Sequence, residues 1–385
     1  MPTNTSRDLR IDWLRGLAMT CVIVNHSKLS SLLSWFSYER FWVVTAAEVF
    51  VVLSGVVIGM VYGRRLARDG WQAVVRGLSR RALLLYVSFI AVTVSILVLS
   101  LMGVDVRQLA RDGDHATAWF FDPVSMDIAA WRDLLLMRSG PWAFEIIGLY
   151  VWLVLAAVPC LLTLHFKGWR PVIAASWALY LAYRLVPLHV TGAEFETVFP
   201  LLTWQLLFVH GIAIGYHRHR ASTFVGRRPA LVPIAAAATA VFLLFAFCNP
   251  WADGPSWLHL RLISQERFTY LYGHFFALAD LGLGRLLNLA VGLPMGYVLL
   301  TACWTRLQAV HALFVTLGQQ SLGAFVAHVY GLLVLAHLPL GSNVALNALV
   351  QILLVVSIAA LLNGIQQTRV KPRQAPAPQA QPLAA

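Results

Sequence analysis

The first apolar stretch of the chain contains three ionisable side chains. It reads IDWLRGLAMTCVIVNHS and includes Asp12, Arg15 and His26. At about 100° per residue in an α-helix, Arg15 and His26 differ by about 20°, and Asp12 lies about 40° from His26. The axial separation of Arg15 and His26 is about 16 Å at about 1.5 Å per residue. The spacing predicts one polar stripe, with the arginine at a membrane surface and the histidine near mid-bilayer.

His26 is the residue of this stripe best suited to catalysis. An ionisable group at membrane depth is costly unless it faces a cavity or a partner. A neutral imidazole there can accept a proton from an attacking hydroxyl, which is the task of the general base in acyl transfer. The alternative is structural: His26 bonds to a neighbouring helix, and Asp12 and Arg15 form an interfacial pair at i, i+3.

The second apolar stretch, AAEVFVVLSGVVIGMVY, contains one carboxylate at its start. Glu48 needs a partner if it lies within the membrane, and the connection to His26 is short. We therefore expect Glu48, or else Asp12, to orient the imidazole as the third member of a catalytic triad does. Gly55 and Gly59 form a GxxxG pair, which is typical of close helix packing.

The composition requires that membrane helices position these residues. The chain has 385 residues, of which 59% are hydrophobic and 12% charged, and its mean hydropathy of +0.71 excludes a soluble globule. We predict an all-α fold of about ten transmembrane helices in one domain, 1–364, followed by a disordered cytoplasmic tail, 365–385. The predicted spans are 12–32, 41–62, 82–103, 142–164, 171–189, 200–217, 230–249, 285–304, 318–338 and 344–363.

The distribution of charge predicts the orientation of these spans. The net charge of +12 comes from short clusters between spans, so nucleic-acid binding is not expected. Arginines are concentrated in 63–81 and 218–228, which the positive-inside rule makes cytoplasmic together with both termini. The acidic segment 104–141 then lies outside. The segment 266–285 fits a re-entrant or interfacial helix, with an eleventh span as the alternative.

Several motifs resemble a known enzyme family. DWLRGLA, NHS and EVFVVLSG look like the membrane acyltransferases of acyltransferase family 3, and the elements at 199–216 and 317–330 are similar to its OpgC branch, which succinylates osmoregulated periplasmic glucans. The resemblance implies a ten-span protein of the bacterial inner membrane, with acyl-CoA entering from the cytoplasm and the acceptor on the periplasmic side. It also carries the family's histidine onto His26 and its arginine onto Arg15.

Two further groups of residues are candidates for substrate binding. A CoA donor carries phosphates, which guanidinium groups bind bidentately. The candidates for the donor are Arg15, Arg64, Arg65, Arg80 and Arg81, although positive-inside anchoring also explains the arginines between spans. The candidates for lining the acceptor chamber are Ser54, Trp204, Gln205 and His210, with helix packing as the alternative.

These observations together predict an acyl-CoA-dependent O-acyltransferase that moves an acyl group, which we expect to be succinyl, to a sugar hydroxyl of a periplasmic glucan. The expected partners are the bilayer, the glucan and acyl-CoA as co-substrate, with no metal and no permanently bound cofactor; the oligomeric state stays open. One alternative is an acetyltransferase of the same fold acting on lipopolysaccharide or exopolysaccharide. Another is a secondary transporter or flippase, in which His26, Glu48 and Arg15 would relay protons and balance substrate charge.

Overall fold

A computed structural model describes residues 7–37, 43–110 and 126–370, and in these ranges the chain consists of α-helices and short 3-10 turns, without strands. The α-helices are α1 Leu9–His26, α2 Ser34–Ser37, α3 Ala46–Asp69, α4 Trp71–Leu101, α5 Ile128–Leu135, α6 Ile146–Lys167, α7 Trp169–Leu185, α8 Leu201–Tyr216, α9 Arg218–Gly226, α10 Leu231–Phe247, α11 Gln265–Phe275, α12 Leu283–Ala302, α13 Gln308–Gln319, α14 Ser321–Ala336 and α15 Val344–Val370. The all-α prediction is confirmed for these residues.

Each of the ten predicted spans overlaps at least one of these helices, but fewer satisfy the requirements for crossing a bilayer. Five helical stretches in the described residues are long and apolar enough, and up to seven if each of two sharply bent helix pairs is one span. Helices α7 and α8 have 17 and 16 residues, below the usual length of a span. The protein is thus a helical membrane protein, and ten spans stays a prediction.

The basic segment 63–81 is helical almost throughout, where the sequence predicted a connection. Helix α3 continues to Asp69, and α4 begins at Trp71. Gly70 alone separates them, with φ of 78°, a left-handed conformation that glycine adopts without a steric penalty. The arginines of this segment therefore stand on rigid helical extensions.

Helices α13 and α14 replace the straight span predicted at 318–338. The break falls at Gln320, and the two axes are bent by 94°. A Cβ on Gly318 would lie 1.8 Å from the Asp12 carbonyl oxygen, and one on Gly16 would lie 1.8 Å from the Phe314 carbonyl oxygen. Because neither contact leaves room for a side chain, α13 packs backbone to backbone against α1, and α14 begins beside α1.

The glycines of α3 pack against α8, as the GxxxG pattern predicted. A Cβ on Gly55 would lie 2.3 Å from the Phe208 carbonyl oxygen, and one on Gly211 would lie 2.4 Å from the Val52 carbonyl oxygen. Gly59 and Gly215 make the equivalent contacts one turn further on. This close packing fixes the position of α3, which carries Glu48 at one end and Arg64 at the other.

The remaining differences concern three segments. Within 266–285, α11 ends at Phe275 and α12 begins at Leu283, so the segment is not one continuous helix. Helix α15 continues six residues past the predicted domain boundary, to Val370, and the rest of the predicted tail lies outside the described residues. Much of the predicted outer loop, 111–125, lies outside them as well.

Candidate active site

A cavity of about 680 Å³, here called the histidine chamber, opens beside the C-terminal end of α1. Its lining includes His26 and Lys28, three indole rings and two asparagine side chains. Those other residues are Trp35, Trp142, Trp251, Asn25 and Asn249. The indole of Trp142 packs against the imidazole of His26, with ring centroids 4.8 Å apart. The predicted general base therefore faces a space large enough for a small organic group.

The hydrogen-bond partner of His26 is a second histidine. Nδ1 of His26 lies 3.2 Å from Nε2 of His328, which is fully buried on α14. Nδ1 of His328 lies 2.5 Å from the carbonyl oxygen of Phe325. A carbonyl oxygen only accepts, so Nδ1 of His328 must carry a proton.

That proton determines the tautomer of both neutral rings. With Nδ1 protonated, Nε2 of neutral His328 is an acceptor, and Nδ1 of His26 must donate to it. Nε2 of His26 is then left with its lone pair. The chain of bonds from Phe325 through His328 thus prepares His26 to accept a proton at Nε2.

The expected contact of Glu48 with His26 is wrong. Oε2 of Glu48 accepts hydrogen bonds from the Thr45 hydroxyl, at 3.0 Å, and from the Thr45 backbone N–H. It also pairs with Arg285 of α12 at 2.9 Å, and both side chains are fully buried. Glu48 lies at the third position of α3, where the sequence TAAE forms a capping box that directs its carboxylate back to Thr45.

Asp12 does not support His26 either. The two residues are fourteen positions apart on one straight helix, about 21 Å at about 1.5 Å per residue. Asp12 forms an ion pair with Arg7, and its Oδ1 lies 3.9 Å from Nη1 of Arg15. This arrangement matches the interfacial i, i+3 pair that the sequence left open as an alternative.

A second cavity, of about 500 Å³ and here called the basic cavity, lies at the opposite end of α1. Five arginines line it, against the carboxylates of Asp8 and Asp12. The five are Arg7, Arg15, Arg64, Arg81 and Arg218. Because guanidinium groups bind phosphate bidentately, this cavity has the chemistry of a phosphate-binding site.

The sequence identified three of these five arginines as donor-binding residues. Arg15, Arg64 and Arg81 line the basic cavity, whereas Arg65 and Arg80 are not among its lining residues. Arg65 instead lies 3.6 Å from Asp69 on its own helix. Arg7 and Arg218 were missed, because nothing in the sequence shows that the segment before α1 and the start of α9 line the same cavity as Arg64.

Arg15 is the most buried arginine of the basic cavity. Its Nη2 donates a hydrogen bond of 2.7 Å to the hydroxyl of Ser321, the first residue of α14, and its guanidinium lies 5.1 Å from the Phe50 ring centroid. The bend between α13 and α14 brings Ser321 to this position. Arg15 is therefore held at the inner end of the basic cavity, where the cavity narrows.

A small cavity of about 40 Å³, here called the passage, lies between the other two. It shares Arg15, Arg81 and Ser321 with the basic cavity, and Phe50 and Phe325 with the histidine chamber. Ser54 and Tyr150 also line it. The three cavities thus follow one another along α1, from Arg15 to His26, and the passage has room for only a few water molecules.

The other predicted chamber residues have structural positions. Trp204 is fully buried and packs against Phe199, which lines the chamber. Gln205 exchanges hydrogen bonds of 2.8 Å with the side chain and the backbone of Ser176 on α7. His210 bonds to a carbonyl of its own helix, Leu206. None of the three lines the chamber or the passage, so Ser54 alone of the four reaches this path.

The described residues contain no group of three or more His, Cys, Asp or Glu side chains placed to hold a metal ion. The polar chemistry of the three cavities comes instead from guanidinium, imidazole, hydroxyl, amide and carboxylate groups.

The fold and these cavities define a helical membrane protein with a cationic pocket and a histidine pair at the two ends of a series of three cavities. The family model described as OpgC protein matches residues 7–370, nearly the whole chain. The chain therefore belongs to the OpgC family. It matches no curated protein and no solved structure.

Proposed function

We propose that this protein is an O-acyltransferase that moves a succinyl group from succinyl-CoA to a sugar hydroxyl of a periplasmic glucan. The observation that carries the proposal is the sequence of three cavities along α1, which joins five arginines to the His26–His328 pair. Membership in the OpgC family supports the choice of a transferase. The acceptor and the acyl group follow from the resemblance of the sequence to enzymes that succinylate glucans.

In this mechanism the basic cavity holds the phosphates of CoA, and the thioester arm extends through the passage. Arg15 and His26 are about 16 Å apart along α1, at about 1.5 Å per residue, which suits a long, flexible arm. Phe50 and Phe325 line the passage where it meets the chamber, so these rings must separate for the arm to enter. The acyl group is the leading end and reaches the chamber first.

The chemical step uses Nε2 of His26 as a general base. The acceptor oxygen attacks the carbonyl carbon of the thioester while its proton passes to Nε2. The C–S bond then breaks, the ester forms, and the CoA thiolate takes up the proton. Nε2 of His328 accepts a hydrogen bond from Nδ1–H of His26. This bond holds the imidazole in its reactive tautomer, as the carboxylate of a Ser-His-Asp triad does.

The walls of the chamber support a sugar acceptor. Indole faces pack against sugar rings, and amide side chains both donate to and accept from hydroxyl groups. The chamber presents three indoles and two asparagine amides. It is also bordered by the loops that precede α6, α8 and α11, which lie at the end of the molecule where we place the approach of the glycan.

The orientation proposed here places the basic cavity in the cytoplasm and the chamber in the periplasm of the bacterial inner membrane. The arginines of 63–81 follow the positive-inside rule in that orientation. Single cysteines at Arg76 and Asp105, in a variant without native cysteines, test it. Arg76→Cys should react with a membrane-impermeant reagent from the cytoplasmic side and Asp105→Cys from the outside; reaction of both from one side would contradict the orientation.

The test of the function is turnover by the purified protein. Labelled succinyl-CoA and glucan should yield free CoA and a glucan heavier by one succinyl unit, in equal amounts. A transporter would leave the thioester intact, and an acetyltransferase would require acetyl-CoA in its place. Mass spectrometry of periplasmic glucans from cells with and without the gene tests the acceptor independently.

A further inference from the structure

Lys28 lies two residues beyond His26 and lines the same chamber. It is the only lysine or arginine among the described residues that line the chamber, which also holds one carboxylate, Asp253. The proposed base and this ammonium therefore line one cavity. An acyl group that binds beside His26 lies in a chamber that also contains a positive charge.

The backbone at Lys28 has an unusual conformation. Its φ is 54°, one of three left-handed non-glycine residues in the described ranges. This conformation brings Cβ close to the following carbonyl oxygen, and it persists only where the surroundings impose it. Such strain is often found at functional sites.

A buried side chain of α15 bonds to the residues on both sides of Lys28. Nε2 of Gln351 donates to the Ser27 hydroxyl at 2.8 Å and to the Leu29 carbonyl oxygen at 3.2 Å. These two bonds fix the residues on either side of Lys28. The turn that carries the lysine is thereby held against the helix bundle, although Lys28 itself is exposed.

The ammonium group is also held close to the reacting centre. Nζ of Lys28 lies 4.9 Å from the ring centroid of Trp142, and that indole packs against His26 with centroids 4.8 Å apart. A cation over an indole face is attracted by the ring quadrupole. Lys28 and His26 therefore contact the same indole in the wall of the chamber.

We propose that Lys28 binds the distal carboxylate of a dicarboxylic acyl group and makes the protein select succinyl over acetyl donors. The inference rests on the proposed function, in which the acyl group enters the chamber ahead of the thioester. Succinyl differs from acetyl by carrying a second carboxylate, which loses water in a chamber lined largely by apolar and aromatic groups. A pre-positioned ammonium offsets that loss, while acetyl gains nothing from it.

The test compares the two donors in variants without the charge. Lys28→Met keeps an unbranched side chain, and Lys28→Asn places a residue that tolerates the left-handed conformation. Both should lower kcat/KM for succinyl-CoA by about 10- to 100-fold, the effect of losing a hydrogen bond to a charged group, and leave acetyl-CoA turnover unchanged. Lys28→Arg should retain the preference for succinyl.

The control is Arg261→Met, which removes a charge from an exposed loop residue between α10 and α11 that is not among the chamber's lining residues. This variant should leave kcat/KM unchanged for both succinyl-CoA and acetyl-CoA. An equal loss with both donors and a higher KM for the glucan would mean that Lys28 binds the acceptor, and would overturn the inference. If the wild-type protein turned over acetyl-CoA as fast as succinyl-CoA, the inference would be overturned, while the proposed acyltransferase function would be kept. Absence of turnover with either donor would overturn the proposed function and this inference with it.

Discussion

The two ends of this series of cavities are built in different ways. The basic cavity draws five arginines from four helices and the segment before α1, and several of them are exposed. The histidine chamber depends on a single chain of hydrogen bonds, from the Phe325 carbonyl through His328 to His26. Binding of a diffuse phosphate charge tolerates the loss of one cation, whereas transfer of a proton at a fixed atom has no substitute. We therefore expect that substitutions in the basic cavity weaken donor binding by degrees, whereas substitution of His26 causes a large loss of turnover.

The largest effect should come from His26. Replacement by Gln keeps a group that both donates and accepts hydrogen bonds but cannot act as a base at neutral pH. If His26 removes the acceptor's proton, His26→Gln should lower kcat by about 10²–10⁴, the range of general-base catalysis. The measurement is turnover at matched melting temperature and matched acyl-CoA affinity. Activity above about a tenth of wild type would assign His26 a structural role, since loss of a general base costs far more.

The second effect concerns stability and tests what Glu48 does. Glu48→Gln removes the carboxylate charge from the buried pair with Arg285, and breaking such a pair costs about 3–5 kcal/mol of unfolding free energy. The double variant Glu48→Gln with Arg285→Met should recover part of that loss, because both charges of the buried pair are then replaced by neutral side chains. Thermal unfolding in detergent measures the stability of the single and the double variant. A folded Glu48→Gln protein whose kcat falls as far as that of His26→Gln would restore Glu48 to the catalytic site.

His26 and Glu48 show how much of the site could be predicted from the sequence. His26 and Arg15 were found because their types are rare in an apolar stretch and their spacing on one helix is set by helix geometry alone. Glu48 was misread, although the capping-box sequence TAAE was visible in the chain. Considering Glu48 only as a carboxylate within the membrane gave it the wrong partner.

His328 could not be paired with His26 from sequence alone. It lies 302 residues away, in a motif where nothing but its residue type sets it apart. Its position depends on the bend at Gln320, and the predicted straight span at 318–338 placed no element beside Arg15. The contact between His26 and His328 depends on the close packing of α1 against α13 at Gly16 and Gly318. The periodicity of the sequence does not show which helices pack together in this way.

The third effect concerns His328 and should be smaller than that of His26. His328→Ala leaves the Nδ1 proton of His26 without an acceptor, and we expect kcat to fall by about 10- to 100-fold, matching the usual cost of a buried unpaired donor. His328→Gln supplies an amide oxygen and should recover part of the loss. Unchanged kcat in a folded His328→Ala protein would mean that His26 works without this bond.

The smallest effect should be at the basic cavity, where the arginines offer a matched pair of double variants. Arg64→Ala with Arg81→Ala removes two charges that line the cavity, and Arg65→Ala with Arg80→Ala removes two from the same helical extensions that do not. Both pairs change the positive-inside charge of 63–81 equally, so an effect on topology would appear in both. Only the first pair should raise KM for acyl-CoA, by about tenfold, because Arg64 and Arg81 are exposed and each ion pair with phosphate contributes at most about 1 kcal/mol in solvent. Its kcat should change less than its KM, since a phosphate remote from the thioester is bound equally in the ground and transition states. Equal KM values for the two double variants would assign all four arginines to topology and would leave the donor without a binding site in this cavity.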